Sequence, residues 1–371
     1  MLVQEAMEDS GACLQKGTRP RRVPRYKNFD PTQVKIHPLK RLASRLASCL
    51  PRSWRFFITG LPVYNAEAAI PGEVDSSSSL FSLSGGIACQ LGAHLTPSGA
   101  CIPPLTPGAG PFIETRFLQK QRCFPKIRTV TGTVASLVQD GQMNYYRWLM
   151  EVLPRMRYLK EKEINCDWFY ACQRHPFHRE GLRLLAGVDA RIIDCEQTPY
   201  LRARQFLVPR FIDEEEEWII PWLREQFLPH VPAIKDELRP RRLYITRDKA
   251  TGRRAANRKE LLDLLGSYGF TPMIMEDHSW LSQLAFFQGA KAIVAPHGAG
   301  LANLIFCSSS TLVVELIAKD YPFTFYPEIS HRLKLDHHLI PCTPLHPLAL
   351  ETSDIEVPLD QVESLLKAAL S

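Results

Sequence analysis

An α/β protein with two Rossmann-like domains facing a cleft is what this 371-residue sequence predicts, and three observations carry the expectation. From about residue 130 onward, short apolar runs free of Pro and Gly alternate with helical patterns, as in parallel sheets whose strands are joined by helices. The alternation stops once, at HVPAIKDELRP over 230–240, which reads as an interdomain linker, and then resumes. The second series contains KAIVAPHGAGLANLIFCSSSTLVVELI over 291–317, which reads as strand, glycine turn, short helix, strand. The expected organisation is a flexible basic arm at 1–35, an N-terminal domain at 36–230 and a C-terminal domain at 241–371.

Residues 1–35 are rich in Arg, Pro and polar side chains, a composition that does not support a core. In HPLKRLASRLASCL over 37–50, Leu39, Leu42, Leu46 and Leu50 share one helical face, with Lys40, Arg41 and Arg45 elsewhere on the wheel. Such a helix either packs on the N-terminal domain or lies on an anionic membrane. Residues 51–143 alternate short apolar runs with Pro, Gly and Ser, and the clearest strands are expected at 112–118 and 133–138. Asn144 opens a helix, NYYRWLMEVLPRMRYLKEK, with Tyr145, Trp148, Leu149, Val152, Met156 and Leu159 on one face and Pro154 expected to kink it. Strands at 167–171, 190–194 and near 205–208, a helix at 176–186 and an acidic-headed helix at 213–228 complete the first series.

The second series is expected as a strand at 242–246, a helix at 257–268, a strand at 270–276 and a helix at 279–288. Asn257 and Glu260 have capping-box spacing at the start of its first helix. The run from Ala292 to Ala295 then reads as a parallel strand buried on both faces and ended by Pro296. Gly298 and Gly300 let the chain turn, so a helix starting around Ala299 to Leu301 points its unpaired N–H groups over the strand end, an arrangement suited to phosphate. His297 and Asn303 can add donors, and the strand at 311–317 brings Glu315 to the same edge, where a carboxylate can accept from ribose hydroxyls. The turn after the domain's first strand, ITRDKATGRR, delivers Arg247, Arg253 and Arg254 there, and arginine forks match phosphate oxygens. The plainer alternatives are a tight strand-to-helix turn and a solvated basic loop.

The bulk numbers narrow the partners. Residues 1–60 hold twelve Lys/Arg against four Asp/Glu, while the whole chain carries +6, so the basic excess is local and nucleic-acid binding is not expected. Ten cysteines show no CxxC, and His175 with His178 finds no third ligand, so no metal site is expected. The N-terminus lacks a basic-then-apolar leader, and no apolar stretch reaches the roughly 20 residues of a membrane span. A cytoplasmic location, peripheral at the inner membrane surface through 37–50, is the expectation.

Three blocks, NYYRWLMEVLPRM, ITRDKATGRRAANRKEL and HGAGLANLIFCSSSTLVVEL, in this order and spacing resemble glycosyltransferase family 61, which includes the extracellular O-GlcNAc transferase and plant xylosyltransferases. The resemblance covers roughly residues 130 to 320. It implies a two-domain GT-B fold and inverting transfer of a hexosyl or pentosyl group from a nucleotide sugar to a glycan, glycolipid or protein acceptor, without a cofactor. It places Arg247, Arg254, Asn257, His297, Gly298, Gly300, Asn303 and Glu315 in or beside the donor site, and Asn144, Tyr145, Glu151 and Arg155 on the acceptor side. The family usually has His where this chain has Arg147, Glu at Arg258 and Thr at Ala302.

Inverting transfer needs a base at the acceptor hydroxyl and stabilisation of the departing diphosphate. No Asp-x-Asp occurs, so Arg247, Arg254, the turn from Gly298 to Leu301 and His297 are expected to replace a metal. Asp140 and Glu151 are the candidate bases, although Asp140 can equally make only the Asp140-Gly141 turn, and Glu151 can equally pair only with Arg147 or Arg155. Two rivals stand beside this reading. A nicotinamide-dependent oxidoreductase fits the glycine turn but not the short, proline-interrupted stretch after Ile317, and a glycan-binding protein with lost turnover finds support in Arg147.

Overall fold

The computed structural model describes residues 79–97, 102, 105, 127–212, 216–234, 239–322 and 325–370. The arm at 1–35, the segment at 37–50 and the expected strand at 112–118 lie outside the described residues. The chain forms the expected α/β class with two sheets. The first contains β1 (Leu80–Ser84), β2 (Ile87–Cys89), β3 (His94–Leu95), β4 (Arg128–Ser136), β5 (Trp168–Ala171), β6 (Ile192–Asp194) and β7 (Tyr200–Pro209). Strands β7, β4, β5 and β6 run parallel, and β1 and β2 flank β7 antiparallel.

The second sheet contains β8 (Arg242–Ile245), β9 (Thr271–Met273), β10 (Ala292–Pro296), β11 (Leu312–Ala318), β12 (Asp336–Pro344) and β13 (Ile355–Glu356). Its order is β13-β12-β11-β10-β8-β9, with all neighbours parallel except β12 and β13. The chain leaves β8 for β9 on one side and returns to β10 on the other. The crevice at the carboxyl ends of β8 and β10 is therefore the topological switch point, where open parallel sheets take ligands. Strands β10 and β11 are buried at every residue, which is why they read as unbroken apolar runs.

The Asn144 helix forms, but not as one regular rod. Asn144 caps it, its side chain accepting from the backbone N–H of Tyr146 at 2.9 Å and of Arg147 at 3.4 Å. One α-turn (Tyr145–Arg147) passes into a π-helical stretch (Trp148–Val152), a 3-10 turn (Leu153–Arg155) and a second α segment (Met156–Glu161). Pro154, which has no N–H to give, is accommodated by this change of helical type. Trp148 packs edge-on to Trp280 at 5.5 Å, and Phe227 reaches the same ring at 4.9 Å. One hydrophobic core thus contains Leu137, Leu149 and Met156 from the first series and Leu243, Ile293 and Leu301 from the second. All described residues fall in a single compact unit.

Three local expectations are corrected. The acidic-headed helix spans Ile219–Phe227, and Glu216 precedes it, paired with Arg210 at 3.0 Å and accepting from Trp218 Nε1 at 2.6 Å. Asn257 makes no capping bond, because its amide is committed to the backbone of Val357 through bonds of 2.8 and 3.1 Å. The short, proline-interrupted stretch after Ile317 does continue the βα series, with a helix (Phe325–Leu333) and the parallel strand β12 beside β11. Pro341 fits there because β13 pairs only with Thr343 and Pro344, leaving the outer edge of β12 otherwise unpaired by strands. No helix among the described residues is long and apolar enough to cross a membrane.

Candidate functional site

Arg247 stands two residues beyond β8 and Gly298 two beyond β10, on either side of the switch point. Arg247 Nε donates to the Gly252 carbonyl at 2.9 Å, and its Nη1 lies against Gly298, where any Cβ would collide with it. Gly298 is needed for that space and not for its backbone, whose φ of 177° is ordinary extended chain. Gly300 likewise has no positive φ. The residues Ala299–Phe306 form a 3-10 helix, with Leu301 N–H bonded back to the Gly298 carbonyl at 3.0 Å.

Arg253 is the second cation at this edge. Its φ of 58° is left-handed, its Nη1 donates to the Tyr321 hydroxyl at 2.9 Å, and its Nε is buried without a hydrogen-bond partner. Burial, and next the charge of Arg253, pulls Arg247 down to about 10. Neither arginine forms an ion pair with a carboxylate among the described residues. The rest of the loop differs. Arg254 holds Asp354 at 2.8 Å, Arg258 holds Asp248 at 2.7 Å, and Lys249 pairs with Asp277. Arg258 is therefore not a merely solvated side chain.

His297 follows β10 directly and is 5% exposed. Its ring lies 4.6 Å from that of Tyr321 and 5.2 Å from that of Tyr326, whose hydroxyl donates to the Gly298 carbonyl at 2.7 Å. His297 Nδ1 is hydrogen-bonded to Glu315. Glu315 itself does not reach the crevice. It is wholly buried, and both its oxygens are held, one by His297 and the other by His337 Nε2 at 3.0 Å. Burial alone would raise its pKa, but the two histidine hydrogen bonds outweigh that and hold the carboxyl below its ordinary range.

Asn303 is also placed elsewhere than the phosphate seat. Fully buried, it accepts from the Tyr145 hydroxyl and donates to Gln283 at 3.4 Å, while Trp280 Nε1 donates to the same hydroxyl at 2.6 Å. This cluster pins the start of the Asn144 helix to the second sheet. Tyr146 extends the contact, packing at 5.2 Å on Phe325 and 5.9 Å on Tyr326. The Asn144 helix and the cationic edge thus meet through shared aromatic neighbours.

Of the other residues expected on the acceptor side, Arg155 is unavailable to a ligand. It is fully buried, donating to the carbonyls of Pro209 at 2.8 Å, Ser136 at 3.2 Å and Val138 at 3.5 Å, and it lies 4.3 Å over Phe211. Glu151 accepts on one oxygen from Gln139 at 2.5 Å and Arg147 at 3.5 Å. Arg147 is exposed and lies against Gly141 (φ 74°), next to the exposed turn residue Asp140. Tyr321, Tyr326 and His337 were missed from the sequence because they sit in the short, proline-interrupted stretch after Ile317, and no local motif marks them.

Fold and site together define an α/β protein with an unpaired cationic seat at the switch point of a parallel sheet. Residues 145–314 match the family model described as Glycosyltransferase 61, and the chain is a glycosyltransferase. That match includes Tyr145, Arg247, Arg253, His297 and Asn303 and ends one residue before Glu315. No curated protein matches the chain. Among solved structures it is similar to E. coli ADP-heptose LPS heptosyltransferase II, at 16% identity over 66% of this chain and 98% of that one, with a TM-score of 0.27.

Proposed function

We propose that this glycosyltransferase transfers a sugar with inversion from a nucleotide-sugar donor to a hydroxyl of a glycan, glycolipid or protein, holding the donor diphosphate at the β8–β10 switch point. The observation that carries the reading is the Arg247–Arg253 pair: two adjacent cations, one with an unsatisfied buried Nε, beside the first N–H groups of the Ala299–Phe306 turn. Two like charges near enough for one to pull down the other's pKa cost free energy until an anion joins them, and a diphosphate offers oxygens to both forks. As the glycosidic bond breaks, negative charge grows on the leaving group, so these fixed cations act more strongly in the transition state than in the ground state. They do the work a metal would do in other arrangements.

His297 supports the same edge. Its Nδ1 donates to Glu315, so Nε2 is the nitrogen left for proton exchange with the leaving group. For the base, Asp140 is favoured over Glu151, because Glu151 already accepts two hydrogen bonds on one oxygen. Peripheral contact with an anionic membrane through residues 37–50 belongs to this reading too, and salt-sensitive vesicle binding that disappears when the chain starts at Arg52 tests it.

A thermal-shift panel of nucleotide sugars tests the donor assignment. A ligand at 100 times its dissociation constant adds about 2.7 kcal/mol of stability. The expected result is a shift with one sugar nucleotide that the Arg247→Ala, Arg253→Ala double variant loses. An equal shift in that variant would overturn the assignment, and retention of the donor's anomeric configuration in the product would overturn inversion.

A further inference from the structure

A chain of buried ionisable groups leads from the cationic seat into the second sheet. Glu315 on β11 lies opposite Ala295 on β10 and Leu339 on β12, and His337 is two residues before Leu339. Strand alternation therefore sends the Glu315 and His337 side chains to the same face. There the carboxylate meets His297 on one oxygen and His337 Nε2 on the other, and His337 Nδ1 lies 2.6 Å from the Ser330 hydroxyl on the Phe325–Leu333 helix. Ser330 is buried, as are the His297 and His337 side chains, each 6% exposed.

An ionised carboxylate only accepts, so each histidine must present a protonated nitrogen to it: Nδ1 of His297 and Nε2 of His337. The last torsion of a glutamate is broad and does not hold the carboxylate plane by itself. One partner leaves that plane free to swing, and two partners on opposite oxygens fix it. A neighbour that served packing alone would be met more cheaply by an apolar residue, because burying ionisable groups costs desolvation.

We propose that His337 is a positioning residue for His297: by holding the second oxygen of Glu315 it keeps the first aimed at His297 Nδ1, so that one proton stays on Nδ1 and Nε2 is the nitrogen that takes up a second proton from solvent and passes it to the departing diphosphate. This rests on the reading of His297 as the group that exchanges a proton at the seat. Ser330 acts in the same way on His337, orienting its ring.

The test is ¹⁵N-histidine NMR of the full chain, with inorganic pyrophosphate as the titrant. The expected spectrum shows His297 as a single Nδ1–H tautomer in the wild type and as a tautomer mixture in His337→Leu. His337→Gln, whose amide can still donate to the carboxylate, should restore the single form. A single Nδ1–H tautomer in His337→Leu would overturn the proposal, and if that variant does not fold, a folded His337→Gln showing a mixture would overturn it equally. Pyrophosphate separates this outcome from the donor reading. If Arg247→Ala and Arg253→Ala bind it as the wild type does, the diphosphate seat is wrong, while the tautomer in the ligand-free protein still decides the role of His337.

Discussion

The carboxyl edges of the two sheets each contain a buried or half-buried arginine without a carboxylate ion pair, and the two edges use it in opposite ways. At the first, Arg155 is surrounded by the carbonyls of Ser136, Val138 and Pro209, which take its donors while burial pulls its pKa down to about 9, still far above neutral pH. At the second, Arg247 uses one donor on Gly252, and Arg253 keeps a buried Nε with no partner among the described residues. Burial of a cation therefore does not distinguish a structural site from a binding site. The state of its hydrogen bonds separates these two edges, since an unmet buried donor is costly, although Arg239 Nε is unmet as well and stands outside the seat.

The largest expected effect breaks the first edge. Arg155→Met should lose about 3–5 kcal/mol of stability, the scale for removing one partner from a buried charged interaction, whereas Arg247→Ala should leave the unfolding midpoint near that of the wild type. Equal midpoints in urea for wild type and Arg155→Met would erase the contrast between the edges.

Next comes the seat itself. Arg247→Lys keeps the charge but loses the fork, and a charge-assisted hydrogen bond is worth about 1.5–3 kcal/mol, so a tenfold to hundredfold loss of activity is expected, more in kcat than in the donor KM. Arg258→Lys is the comparison within the loop. Its bidentate contact with Asp248 is half-exposed, so its loss should be worth no more than about 1 kcal/mol, and a larger activity loss there than at Arg247 would relocate the seat.

The candidate bases sharpen the first edge further. Asp140→Asn should reduce turnover roughly a hundredfold with donor affinity little changed, and Glu151→Gln by much less. The reverse order would assign the base to Glu151 and show that its contacts with Gln139 and Arg147 tune it for that role.

The smallest effect is a pH dependence of stability. Glu315 has a folded pKa held below the ordinary carboxylate value of 4.5, so it contributes stability that is full above that value and is lost as pH falls through the folded one. Glu315→Gln should flatten the acid limb of the unfolding midpoint plotted against pH below about 4.5. An unchanged acid limb would mean that the two histidines do not stabilise the ionised form.

Much of the architecture was legible locally. The helix at Pro176–Ala186 and the β10–turn–β11 unit have the bounds, or nearly the bounds, that their periodicity predicts, because apolar spacing and breakers such as Pro296 act over a few residues. The regions that misled are those where local chemistry had a distant competitor. Asn257 has the neighbours of a helix cap, yet its amide is taken by Val357, a hundred residues away. Glu315 looks like a ribose ligand at a strand end, yet its oxygens belong to His297 and to His337 on a strand hidden behind prolines.

By itself the sequence determined the α/β class, the glycine turn after β10, the basic loop after β8 and the match of the 145–314 stretch to its family model, since each is written in contiguous residues. Only the tertiary structure decided which arginines of that loop stay available. Arg254 is committed to Asp354, Arg258 to Asp248, and Arg253 leans on Tyr321 while its Nε stays unmet. The physical reason is that a salt bridge or hydrogen bond depends on distances of about 3 Å between side chains that the chain brings together only after its sheets have formed, and no local period encodes such a meeting.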